Sequence, residues 1–172
     1  MVNFEQDRRA NPDGVNLLVS ILVCYPEIAT LRFEPADDTL KMTFVLSGVP
    51  ARKAFEDASD FIKRSLLTYH ALEYRNDAIV EFKLDSCGEL AFIHVIRDVG
   101  TLSRGEIALL STLMRDRFNE QLVRDLNVTT LEEEGVIQEE LIDSMIGNVK
   151  LSRVVERLIG IREDGRVMVF NK

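Results

Sequence analysis

The chain is predicted to be an α+β protein: tandem β-β-α units forming one four-stranded antiparallel sheet covered by helices, with a C-terminal helix plus β-hairpin arm. Three observations predict this. Paired stretches of alternating apolar and polar residues occur twice, at a spacing of 49 to 50 residues. Each pair is followed by apolar residues at helical spacing. The last 45 residues then change in both charge and pattern.

Residues 1 to about 10 are polar and without period, so residues 1–13 are set apart as a tail. Asn11-Pro12-Asp13 has the chemistry of a helix start, with a cap, a proline at the first position and an acid in the first turn. Leu18, Ile21, Leu22 and Tyr25 form one face of that helix, and Pro26 ends it. Ile28–Glu34 and Leu40–Phe44 alternate as strands around the turn Pro35-Ala36-Asp37-Asp38. A long helix begins near Pro50, with the stripe Ala54, Phe55, Ala58, Phe61, Ile62, Leu66, Tyr69 and Leu72.

The second unit repeats the first. Ala78–Leu84 and Leu90–Ile96 flank a turn expected at Asp85-Ser86-Cys87-Gly88, one residue longer than in the first unit. Ser103 and Glu106 fit a capping box, and Leu102 and Ile107 a hydrophobic staple. Ile107, Leu110, Met114, Phe118 and Leu122 continue as a core stripe. Neither hairpin is stable alone, and joining them into one sheet under the helices is the economical solution.

Residues 128–172 read as a separate arm after a domain spanning 14–127. Residues 130–146 carry six acids and no Lys or Arg, with Thr130 and Glu133 as a capping box. Ile137, Leu141 and Met145 form a thin stripe there, and Gly147-Asn148 closes the helix. Residues 147–172 carry six basic residues against three acids. Asp164-Gly165 between alternating apolar residues is a strong hairpin signal. The apolar groups Ile159, Ile161, Val167, Val169 and Phe170 need a surface to pack on, which makes them interface candidates. The expected arrangement is a homodimer whose arm docks across the partner, with docking inside the chain as the alternative.

Composition limits the function. The 172 residues are 46% hydrophobic and 29% charged, ordinary for a soluble domain. Twenty-one Lys and Arg against 29 Asp and Glu give a net charge of -8, which argues against gripping nucleic acid or an anionic membrane. The apolar run Val15–Tyr25 is too short to span a bilayer and lacks a basic start and a cleavage site. A cytoplasmic protein with reduced Cys24 and Cys87 is expected.

Chemistry-bearing residues are few. His94 lies on the fourth strand, in phase with Phe92 and Ile96, and occupies the place of Phe44 in the first unit. With Cys87 it forms the candidate ligand site, weighed against a satisfied structural histidine. His70 ends a long helix, where a cation meets the dipole. Cys24 belongs to an apolar face and behaves as a small hydrophobe. No nucleophile, base and orienter line up, so no catalytic residue is assigned. Metal-ligand spacing and glycine-rich phosphate loops are absent, so no metal or cofactor is expected. The strand positions Arg32, Glu34, Glu81 and Lys83 are mixed in sign, unlike an RNA-binding sheet.

In the element order helix-β-β-helix-β-β-helix, residues 14 to 126 of this small acidic chain resemble the type III secretion chaperone and YbjN-type folds. Those folds hold a partner segment on a dimeric surface. A ferredoxin-like sandwich accommodates the same order. The resemblance carries no diagnostic motif and transfers no functional residue. The expected function is a cytosolic, non-enzymatic interaction or regulatory module binding itself and an unknown protein partner. The alternative is a small-molecule-binding domain or modest enzyme using the sheet face around His94.

Overall fold

A computed structural model describes residues 12–124, 132–152 and 154–171. The expected Asn11 cap, most of the 1–13 tail and Thr130 of the second capping box lie outside them. Helix α1 (Pro12–Cys24) starts at the proline, the first helical position expected from Asn11-Pro12-Asp13 and two residues inside the 1–13 tail, and buries Leu17, Leu18, Ile21 and Leu22. Strands β1 (Ile28–Glu34) and β2 (Thr39–Leu46) form the first hairpin, closing at the pair Glu34 and Thr39. Asp38 in its turn has φ 53°, a backbone that Asp tolerates better than most residues.

Helix α2 (Arg52–Leu72) follows, but it buries a narrower stripe than expected. Ala58, Ser59, Ile62, Leu66 and His70 face inward, while Phe61 and Leu72 are exposed. The helix lies over the β3 end of the sheet, where only one side meets protein. Arg117 covers the Phe61 ring at 3.9 Å, a cation over an aromatic face.

Strands β3 (Val80–Cys87) and β4 (Leu90–Asp98) form the second hairpin. Its turn is not Asp85–Gly88: Cys87 pairs with Leu90, leaving only Gly88-Glu89 between the strands. Gly88 has φ 61°, which a two-residue turn requires and glycine supplies. The second turn is therefore shorter than the first, so the residue-by-residue overlay of the two hairpins fails there.

Helix α3 (Arg104–Phe118) starts at Ser103, whose side chain accepts a hydrogen bond from the Glu106 amide at 3.3 Å. The reciprocal half of the capping box is missing, because the Glu106 carboxylate is committed elsewhere. Helix α4 (Glu132–Ser152) runs through Gly147 instead of stopping there. Its buried stripe is Ile142, Ile146 and Val149, with Leu141 exposed, one position off the expected phase.

The last two strands, β5 (Leu158–Glu163) and β6 (Arg166–Asn171), turn at Asp164 (φ 50°) and Gly165 (φ 74°), the two positive φ values of a type I′ turn. The hairpin does not stand apart. β5 pairs with β1 of the same chain, from Thr30–Ile161 to Phe33–Leu158. One six-stranded antiparallel sheet results, in the order β3-β4-β2-β1-β5-β6. It replaces the expected four-stranded sheet. The two hairpins meet through β2 and β4, every pairing is antiparallel, and six strands stand where the expected sandwich has four.

Burial alternates along β4, and along β1 and β2 except at the irregularity after Ile28 and at Thr43, which is buried as well. Leu31 and Phe33, Leu40, Met42, Phe44 and Leu46, and Ala91, Ile93 and Val95 face the helices. Gly160 faces α1, where an added Cβ would stand 2.9 Å from Leu22 Cδ1. That absence of a side chain lets helix and strand approach closely. Arg162 Nη2 donates to the carbonyls of Leu22, Tyr25 and Ile28, closing the C-terminal end of α1. Of the interface candidates, Val167 is buried and Val169 packs against the core within the chain.

Candidate functional site on the open sheet face

The other phase of each strand points away from the helices. Cross-strand pairing arranges these residues in rows. One row reads Phe170, Ile159, Arg32, Lys41, Ile96 and Glu81 from β6 to β3. The next reads Met168, Ile161, Thr30, Thr43, His94 and Lys83. A third begins at Val45 and continues through Phe92 to Asp85. Three of the interface candidates, Ile159, Ile161 and Phe170, thus share the open face with His94, and Phe170 is 46% exposed.

His94 is fully engaged. Its Nε2 lies 2.9 Å from Asp85 Oδ2, and its Nδ1 lies 2.8 Å from Thr43 Oγ1. An ionised carboxylate only accepts, so in the neutral imidazole Nε2 carries the proton and Thr43 donates its hydroxyl to Nδ1. Carboxylate, imidazole and alcohol therefore stand in the order of a hydrolytic triad. Access is lacking, because Thr43 is buried. The backbone around it is committed to ladders with β1 and β4, leaving no amide pair to hold an oxyanion. The hydrogen bonds of His94 tie β3, β4 and β2 together. Cys87 is not among its partners. The thiol sits opposite Leu90, about 13 Å from His94 along the strand.

A second concentration of charge lies on the core side, and sequence reading missed it. Arg97 and Glu106 are both 0% exposed and meet fork to fork. His70, at 2%, places Nε2 2.8 Å from Glu106 Oε2 and 3.0 Å from Arg97 Nη2. Asp98 also contacts Arg97, accepts from the Ile79 amide at 2.8 Å and holds the hydroxyl and amide of Thr101. Burial alone would raise the Asp98 pKa, but the hydrogen bonds from Thr101 and Ile79 and the Arg97 charge hold it below the usual carboxylate range. Burial works against the Arg97 charge too, and bonding to Glu106 and Asp98 more than restores it. A cleft of about 320 Å³ lined by Tyr69, Arg75, Ser103 and Lys150 opens beside His70. The signal was present in sequence: Arg97 continues the inward phase of Ala91, Ile93 and Val95, where a cation demands a buried partner.

Among the described residues no group of His, Cys, Asp and Glu is arranged to hold a metal ion, and no helix is long and apolar enough to cross a membrane. Both cysteines are free thiols. No family model matches the chain, and neither a curated protein nor a solved structure shows significant similarity to it.

Proposed function

We propose that the chain is a non-enzymatic interaction or regulatory module of the cytoplasm whose working surface is the open face of its sheet. One observation carries this reading: the described helices pack on a single face. Opposite them, Val45, Phe92, Ile159, Ile161, Met168 and Phe170 point outward among charged residues. Apolar groups set within a polar surround are the anatomy of a recognition surface, and a six-stranded sheet supplies a rigid one. The buried Thr43 and the committed backbone favour binding over the alternative of an enzyme built around His94. Net charge of -8 favours a protein partner over nucleic acid.

The test is affinity capture with quantitative mass spectrometry, comparing the native chain with Ile161→Glu and Met168→Glu on the open face and Lys53→Glu on α2. Partners should be lost with the first two and kept with the third. Partners retained by all three would place the working surface elsewhere.

Self-association is a second reading, now resting on the edges of the sheet and not on an exchanged arm. β3 and β6 each pair on one side only among the described residues, and unpaired edges invite another strand. A dimeric mass by light scattering supports it, and a monomeric mass across concentrations removes it.

A further inference from the structure

We propose that Arg32 and Lys41 form a binding site for a single oxyanion group, a carboxylate or a phosphate; the inference rests on the open face being the working surface. These residues are direct cross-strand partners on β1 and β2, so their Cβ atoms stand about 5 Å apart on the same face. Like charges directly opposite each other destabilise a sheet unless something sits between them. Among the described residues nothing does. Neither side chain has a hydrogen bond or ion pair, and the Arg32 Nε is buried without an acceptor.

The surroundings sharpen the point. The pair opens onto a groove of about 660 Å³ also lined by Glu34, Asp37, Glu81 and Lys83. Glu34 is the acid nearest in sequence on the same strand face, yet Arg157 takes it, with Nη2 3.1 Å from Glu34 Oε1. Arg32, Lys41 and Lys83 are left against Asp37 and Glu81, a surplus of one positive charge. An oxyanion would meet Nε and one Nη of Arg32 as a fork while Lys41 supplies a point charge. The acids at the rim limit the site to one anionic group and disfavour a polyanion. Ile159 and Ile96 flank the pair in the same row, so the remainder of the ligand meets apolar surface on either side.

The experiment is thermal melting of the full chain in sodium phosphate, sodium acetate and sodium chloride at equal pH and ionic strength, for the native protein, Arg32→Gln and Lys41→Gln. At about five times its Kd, the bound anion should raise Tm by roughly 2–4 °C over chloride. Both variants should lose that shift, and Lys41→Gln should melt no lower than the native chain in chloride. A larger response to phosphate assigns a phosphate ligand, and a larger response to acetate assigns a carboxylate. The Arg32 Nε–H resonance, followed by NMR in the native protein, should move with the same anion. Equal melting in all three salts with an unmoved resonance would overturn the site, as would a shift that survives both substitutions. The partner-capture variants leave Arg32 and Lys41 intact, so the two readings fail separately.

Discussion

Arg97 and Glu106 face each other with neither side chain exposed, and His70 lies against both. The pair links β4 to the first turn of α3 and, through His70, to the last turn of α2. A buried pair of this kind gains little over well-packed apolar residues, but losing one partner strands a charge in the core. Glu106→Ala should therefore destabilise the protein by about 3–5 kcal/mol in urea unfolding. Replacing both, as Arg97→Met with Glu106→Leu, should cost much less than the single change.

Asp98 sets an acid limit on stability. Its pKa is depressed in the folded chain, so its contribution is present above the unfolded value, near 3.9, and fades as pH falls through the folded value. The urea midpoint of the native chain should drop as pH is lowered from about 5 towards 3. Asp98→Asn should start lower at pH 7 and follow a flatter acid limb. Parallel limbs for the two proteins would remove Asp98 as the cause.

The two thiols should separate by reactivity. Burial and the nearby Glu139 push Cys24 up to about 11, while Cys87 is exposed at the end of β3. Iodoacetamide near pH 8 should alkylate Cys87 and spare Cys24 in the folded protein, and label both in denaturant. Mass mapping of the labelled peptides reads this directly.

Gly160 tests the contact between α1 and β5. Gly160→Val puts methyl groups where Leu22 and Leu18 already pack, at 2.9 and 3.5 Å from the added Cβ. Overpacking of this kind should cost about 1–3 kcal/mol in urea unfolding. A neutral result would mean that α1 can move away freely.

Removing the C-terminal segment tests whether it is an appendage. A chain ending at residue 127 loses β5 from the edge of β1 and α4 from the side of α1. It should lose cooperative unfolding by circular dichroism, because α1 would lose the cover of α4 and β5, and β1 its partner strand. Cooperative unfolding of the shortened chain would support the boundary expected near that point.

His94→Phe keeps an aromatic ring but removes both ring nitrogens, on the face opposite to that of Phe44. It removes two hydrogen bonds and leaves Thr43 and Asp85 without a partner, so a cost of about 1–3 kcal/mol is expected, with the fold intact. A ligand-dependent melting shift that vanishes in this variant would give His94 a binding role beyond the tie.

Local signals are strong wherever an element is specified by its own residues. The strands β1, β2 and β4, the Ser103 start of α3 and the Asp164-Gly165 turn were all legible, since alternation and capping act within a few residues. The stripes of α2 and α4 were misplaced because a helix buries the arc its neighbours cover, and that arc depends on where the helix docks. Strand order and the docking of the arm follow from which edges meet, a choice between long-range pairings that no local pattern encodes. The same reason hid both charged sites. His70, Arg97 and Glu106 converge only when α2, β4 and α3 pack together. Arg32 and Lys41 were each visible as a strand cation, but the register of β1 against β2 alone sets the two charges face to face.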